Sequence, residues 1–319
     1  MDIRDFQRLV DFLEKNSQKE IRLMGGEPTL HSRFKEIVNY ALSRKFKIRL
    51  FTNGFFSEEL ARWMAEKKQS IVYSVNLAAI SSAPEEKKLV VENNLKILGE
   101  ASKINGSITI DSADFDKYVS VVALVEKNKL ESVRIAVANN MMDNSCGGSV
   151  SDDYKNIISV VVGLAYKLKE VGVSQLSFNC GFAPCMFEEN ELKRLLKEGI
   201  RLRGWGCRGK AGSFDVSSDL YTFPCFIADE LKTAKIFDFK NLELAGSYND
   251  DLFEYIFYNS SHSTMRECKD CPFFKKKECR GPCLGYVYNN RREKEVSDKF
   301  RKSLRYEITK FFLRTFRNW

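Results

Sequence analysis

Eight of the nine cysteines in this chain are spaced in ways that suit thiolate ligation of a metal. Cys268-x2-Cys271-x7-Cys279-x3-Cys283 is the most compact group, and two thiolates separated by two residues can grip one metal centre. Upstream lie Cys180 and Cys185 in Cys-Gly-Phe-Ala-Pro-Cys, then Cys207, then Cys225 in Tyr-Thr-Phe-Pro-Cys-Phe. These eight are enough for two four-thiolate sites, but spacing alone neither partitions them nor separates zinc from iron–sulfur. Cys146, in Asn-Ser-Cys-Gly-Gly, reads as a loop thiol.

A second constellation lies in the first half of the chain. Gly25-Gly26-Glu27-Pro28 follows an expected strand directly, and glycines there let a ligand approach the backbone closely. Pro28 pushes Glu27 toward an extended conformation, which would hold its carboxylate near the strand end, where it could meet an ammonium group. Thr52-Asn53-Gly54 ends the next strand and Ser74-Val75-Asn76 lies on the one after. Their hydroxyl and amide groups could hydrogen-bond a ribose or an amino-acid moiety. Each tripeptide taken singly also fits ordinary turn chemistry.

The elements that must position these residues alternate. Phe6, Leu9, Val10 and Leu13 recur at helical spacing, and Glu20 to Met24 reads as a strand. Phe34, Ile37, Val38, Ala41 and Leu42 form the next helical stripe, followed by a strand over Lys47 to Phe51 and a helix around Leu60, Trp63 and Met64. Further strands are expected at Ile71–Val75, Ser107–Ile110, Val133–Val137 and Leu176–Phe178. Repeated strand–helix units imply parallel strands with right-handed crossovers. The fold class is therefore α/β, and about six strands fit a partial (β/α)6-type barrel better than a full eight-stranded one. We divide the chain at 1–178, a cysteine-rich extension with little regular structure at 179–290, and a basic amphipathic helix at 291–319. In that last segment Phe300, Leu304, Ile308, Phe311, Phe312, Phe316 and Trp319 recur at helical spacing.

Composition narrows the possibilities. The 319 residues carry 51 Lys+Arg against 43 Asp+Glu, a net charge of +8, with 44% hydrophobic and 29% charged residues, which is an ordinary globular balance. No apolar run approaches membrane-spanning length, and residues 1–5 lack the pattern of a secretory leader. A cytoplasmic location is expected, with no membrane and no nucleic acid as partner, since the excess charge is concentrated after Arg291 without a nucleic-acid-binding signature. In the cytosol thiols stay reduced, which favours ligation over disulfides for the cysteines. The only histidines, His31 and His262, sit in no nucleophile motif.

Strand-Gly-Gly-Glu-Pro-Thr-Leu, then strand-Thr-Asn-Gly, then strand-Ser-x-Asn resembles the radical S-adenosylmethionine (radical SAM) enzymes. The resemblance implies a partial barrel binding S-adenosylmethionine across these strand ends. Gly25, Gly26, Glu27 and Pro28 would contact the methionine amino group, Ser74 and Asn76 would lie near the ribose, and Thr52 and Asn53 close by. The cysteine-rich part resembles the auxiliary iron–sulfur extension of the SPASM or twitch type. Cys207, Cys225, Cys268, Cys271, Cys279 and Cys283 match that pattern in order. Two departures, the seven residues before Cys279 and the absence of a cysteine after Cys283, favour one auxiliary 4Fe-4S cluster over two and leave Cys180 and Cys185 the least supported ligands. The resemblance further implies a peptide or protein substrate and an electron donor such as a flavodoxin or ferredoxin.

The family's own cluster loop, C-x3-C-x2-C after the first barrel strand, has no counterpart here. The chain as written is therefore expected to be inactive and to be an N-terminally truncated form of a longer enzyme. Losing a first strand would leave an exposed edge and apolar surface beside Ile21 and Leu23. A degenerate relative serving as an iron–sulfur binding or electron-relay partner, and a zinc-binding α/β module, are the alternatives.

Overall fold

The computed structural model of the protein describes residues 1–81, 83–138, 154–179, 182–202, 214–226, 232, 234–255, 266–281 and 283. The helices are α1 (Ile3–Lys15), α2 (Phe34–Ser43), α3 (Glu58–Ala65), α4 (Ala78–Ser81), α5 (Glu85–Ala101), α6 (Val119–Lys127), α7 (Tyr154–Glu170), α8 (Glu189–Lys197), α9 (Leu242–Glu254) and α10 (Pro272–Lys275). The main strands are β1 (Glu20–Leu23), β2 (Lys47–Thr52), β3 (Ile71–Asn76), β4 (Ile104–Ile110), β5 (Ser132–Val137), β6 (Gln175–Phe178) and β7 (Arg201–Leu202).

One device feeds helices into strands. After α1, α2, α6, α7 and α8 the chain turns through a left-handed residue at Ser17, Lys45, Lys129, Gly172 and Gly199. Each turn is closed by a pair of backbone bonds, for example Lys45 N–H to Leu42 O at 2.9 Å and Phe46 N–H to Ala41 O at 3.0 Å. This is the Schellman arrangement, which satisfies the last helical carbonyls and brings an apolar residue back onto the helix. In the last four turns that residue is Phe46, Leu130, Val173 or Ile200, each buried, and a strand starts within two residues of it. Helix stop and strand start are thus set by one turn.

The seven strands form one parallel sheet in the order β1-β2-β3-β4-β5-β6-β7. The six strands read from the sequence are present at nearly those positions, and β7 is added. With period-two alternation and parallel register, one face carries Ile48, Leu50, Tyr73, Val75, Ile108, Val133, Ile135 and Phe178, all but inaccessible. These pack with Val10, Val38, Ala61, Leu95, Val121 and Leu164 of the helices as one continuous core. This is the helix-covered parallel sheet of a partial (β/α) barrel, as the sequence pattern led us to expect.

Residues 179–290, expected to hold little regular structure, carry short elements. α8 precedes β7, and a three-stranded antiparallel sheet of β8 (Asp215–Val216), β9 (Tyr221–Phe223) and β10 (Ala234–Lys235) runs in the order β10-β9-β8. It is followed by α9 and α10. The small sheet docks on α1 through a second core of Leu9, Leu220, Ile236 and Ala245. Phe12 meets Phe237 edge to face at 5.8 Å, and the Arg8 guanidinium lies 3.9 Å from the centre of the Phe237 ring. Asn16 Oδ1 accepts from Leu242 N–H at 3.0 Å. Cys146, Cys180, Cys207 and the expected helix over 291–319 lie outside the described residues.

Candidate functional site

At the end of β1 the chain reaches Gly25 with φ +146°, a backbone angle that L side chains avoid. A Cβ built on Gly26 would meet nothing within 4 Å, so its backbone faces open space. Glu27 then closes the turn, but its carboxylate is used differently from the expectation. Oε1 accepts from Thr29 N–H at 3.2 Å, Thr29 Oγ1 at 2.7 Å and Thr52 Oγ1 at 2.8 Å. Oε2 accepts from Asn53 N–H at 2.7 Å. Four donors from the protein itself occupy the group, so it pins the loop after β1 to the end of β2. What the glycine pair exposes to a ligand is backbone.

The turn after β2 is held from a second direction. Asn94 of α5, buried, donates through Nδ2 to Gly54 O at 3.0 Å and Phe56 O at 2.8 Å. Gly54 has φ +82°, and a Cβ there would come within 3.0 Å of Val91, so no side chain fits. Thr52 Oγ1 also accepts from Gly54 N–H at 3.1 Å, and Asn53 Oδ1 accepts from Phe55 N–H at 2.9 Å. Asn76 Oδ1 accepts from Ala78 N–H at 3.3 Å. The carbonyl ends of both asparagines therefore serve local turns.

Ser74 points the other way. It pairs in register with Phe51 of β2 and Asn105 of β4, which puts it on the sheet face opposite the apolar core. Register extends that face: Asn76 lies beside Ser107, Ser107 beside Arg134, and Arg134 beside Ser177. Arg134 Nη2 donates to Ser107 Oγ at 3.0 Å, and its guanidinium stands 5.7 Å from the centre of the Phe51 ring. Nearer the edge Glu20 takes Arg22 Nε at 3.1 Å and Arg49 Nε at 3.5 Å. One face of the sheet is thus apolar under helices and the other polar with several arginines, an arrangement that can receive a carboxylate and hydroxyl groups of a ligand. Ser107 and Arg134 were missed in the sequence. The signal was there, in the alternation of polar residues with Ile104, Ile108, Val133 and Ile135, but it marks a face rather than a site.

Along β1 runs a cleft of about 1250 Å³. Among the described residues β1 pairs only with β2. The cleft is lined on one side by Ile21, Leu23, Gly25 and Gly26, and on the other by Phe214, Asp215 and Val216 of the small sheet. Thr52, Asn53, Ser74 and Asn76 lie beyond it. Burial in this cleft raises the Asp215 carboxyl above the ordinary carboxylate range, opposed by the charge of Arg22 and a hydrogen bond from the Phe226 backbone.

Six expected ligand cysteines, Cys185, Cys225, Cys268, Cys271, Cys279 and Cys283, are described, none in a disulfide. Cys279 and Cys283 are buried. Cys279 Sγ accepts from Gly281 N–H at 3.3 Å, a bond of the kind that stabilises a thiolate ligand. Burial raises the Cys279 thiol, with the Cys185 and Cys271 sulfurs adding to the rise. Among the described residues no group of three or more His, Cys, Asp or Glu side chains is arranged to hold a metal ion. The soft thiols and the N–H···S bond nevertheless fit an iron–sulfur or zinc centre in donor chemistry. No helix among the described residues is long and apolar enough to cross a membrane.

Residues 1–137 match the sequence profile of the Radical SAM superfamily. A comparison with curated proteins finds no match. Among solved structures, Streptococcus suis SuiB bound to S-adenosylmethionine aligns with a TM-score of 0.63 at 16% identity, covering 92% of this chain and 68% of SuiB. SuiB bound to its precursor peptide SuiA gives 0.63 at 17%, covering 92% and 67%. Native anSMEcpe with bound AdoMet and the Kp18Cys peptide gives 0.60 at 15%, covering 97% and 88%. At such identities the likeness is one of fold.

Proposed function

We propose that this chain, whose residues 1–137 match the Radical SAM superfamily, an iron–sulfur enzyme family that uses S-adenosylmethionine, belongs to an enzyme that modifies a peptide or protein side chain. The observation that carries the reading is the polar sheet face of Ser74, Ser107 and Arg134, on the same parallel sheet whose first strand ends in open glycine backbone. When bound, S-adenosylmethionine and a 4Fe-4S cluster supply a radical able to take a hydrogen atom from the substrate.

This chain's residues would do the following. The backbone at Gly25 and Gly26 would receive the amino end of S-adenosylmethionine, with Glu27 and Pro28 holding that loop in place. Arg134 would take its carboxylate, with Ser107 orienting the guanidinium. Ser74 and Asn76 would lie toward the ribose, and Thr52 and Asn53 would act through Glu27. Residues 1–319 have no C-x3-C-x2-C run to supply the thiolates of the barrel's own cluster. Residues 1–319 alone are therefore inactive in this reading. A strand preceding residue 1, seated in the cleft against β1, would carry those thiolates. Residues 179–290 would hold an auxiliary cluster, and the segment 291–319 would form a terminal helix. A peptide substrate is supported by the peptide complexes of SuiB and anSMEcpe, and a flavodoxin or ferredoxin would deliver electrons.

Calorimetric titration with S-adenosylmethionine tests the binding half. Arg134→Ala removes a charge-assisted contact and should weaken binding by ~10- to 100-fold. Gly26→Val should weaken it comparably while leaving the urea midpoint unchanged, because the position is open in the protein. Wild-type affinity in both variants would refute the assignment.

A further inference from the structure

The loop after β1 is tied down by two polar side chains, Glu27 and His31. None of residues 24–31 is buried, and Leu30 keeps 78% of its surface exposed. The loop thus lacks a buried apolar anchor, and its place is set by hydrogen bonds. Glu27 fixes it to the end of β2. At its far end His31 caps the 3-10 turn Pro28–Leu30, its N–H bonding to Pro28 O at 3.1 Å, while its carbonyl accepts from Phe34 N–H at 2.9 Å at the start of α2.

The His31 ring reaches a further element. Nε2 lies 3.1 Å from Met1 O, the carbonyl just before the Asp2 cap of α1, and Nδ1 accepts from Arg33 N–H at 3.1 Å. A carbonyl can only accept and a backbone N–H can only donate, so the two partners assign one neutral tautomer, with the proton on Nε2. The anchor is itself held in place, since Met1 packs both against the barrel core and against the core of Leu9, Leu220, Ile236 and Ala245. His31, Gly25 and Gly26 all line the cleft along β1.

We propose that His31 is a positioning residue for the ligand received by the glycine pair: its Nε2–H holds the loop 25–30 to the entry of α1, as Glu27 holds it to β2. The assignment rests on the S-adenosylmethionine reading above and adds to it a residue that acts through the loop. The two ring contacts do different things. The bond from Arg33 is local and shapes the turn into α2, whereas the bond to Met1 spans 30 residues and fixes the loop relative to another element. Without that bond a ligand must order the loop as it binds, which weakens affinity.

The test uses two amides that each copy one end of the ring. His31→Gln can place an N–H near the Nε2 position and keep the bond to Met1. His31→Asn can keep an acceptor for Arg33 N–H but falls short of Met1, and His31→Ala keeps neither. Calorimetric titration of the full chain with S-adenosylmethionine should give affinity within about twofold of wild type for His31→Gln and ~10-fold weaker binding for both His31→Asn and His31→Ala. Hydrogen exchange should follow the same order, with the Leu30 and His31-position amides losing protection by ~10-fold in His31→Asn and His31→Ala and keeping it in His31→Gln. Selective nitrogen-15 labelling of the two histidines should show a ring protonated on Nε2 whose signals vanish in His31→Gln. Urea unfolding checks that each variant folds. Wild-type affinity in His31→Asn, binding as weak in His31→Gln as in His31→Ala, or a His31 ring protonated on Nδ1 would overturn the assignment. If the wild type itself does not bind S-adenosylmethionine, the reading of the site falls. Exchange in the loop then decides the tether alone, and unchanged protection in His31→Asn would count against it.

Discussion

Glu27 shows what a residue's type can and cannot announce. Its place after two glycines and before a proline was legible, and so was its position at a strand end. Its partners were not, because Thr52 and Asn53 lie 25 and 26 residues away and meet it only through the pairing of β1 with β2. The carboxylate that a sequence reader assigns to an ammonium group takes four hydroxyl and backbone donors of the protein, three of them on Oε1. Its removal is therefore expected to act on the fold: Glu27→Ala should cost ~3 kcal/mol, since several bonds to a charged acceptor are lost at once. Glu27→Gln should cost less, though one amide hydrogen would then face a backbone N–H. Urea midpoints of the two variants check the order, and a Glu27→Ala protein as stable as wild type would show that the loop is held without it. The cysteines divide similarly. Their spacing suits thiolate ligation, but it does not say which thiol would join which, because that depends on packing between segments far apart in sequence.

The helix-to-strand units were the most legible elements, since apolar residues at helical spacing alternate visibly with short β-rich runs. Less legible were the turns that join them. Ser17, Lys45 and Lys129 take a left-handed backbone that sequence habit reserves for glycine or asparagine, so nothing in their identity marks the helix end. The small sheet escaped reading for a different reason, as strands of two or three residues show no period. Lys45 and Lys129 are exposed, and each holds a conformation costing an L-residue ~1–2 kcal/mol. Glycine relieves that strain while adding ~0.5–1 kcal/mol of chain entropy to the unfolded state. Lys45→Gly and Lys129→Gly should each stabilise the protein by about 0.5–1 kcal/mol, read as a rise in thermal or urea midpoint. A fall in both would mean that the lysine side chains make contacts worth more than the strain.

At the scale of the molecule, the partition of the sheet into an apolar and a polar face was implicit in strand alternation, and the cleft along β1 was foreseen only as an exposed edge. The extension's sheet meets that edge from across the cleft, a relation that no sequence pattern encodes because it depends on how α1 docks Phe237. If a preceding strand fills the cleft and brings the missing thiolates, a protein extended upstream to include them should release 5′-deoxyadenosine on reduction with dithionite, whereas residues 1–319 should release none. Product from the shorter protein, or none from a fully loaded longer one, would contradict that account. The uninterrupted strand order has one more consequence. Every strand from β2 to β7 pairs with the strand synthesised immediately before it, so the connections to be closed during folding are local in sequence. The sheet can grow on the ribosome as the chain emerges, each new α/β unit finding its template already in place. Arrest of synthesis partway would then leave a shorter sheet of native register rather than a misfolded one.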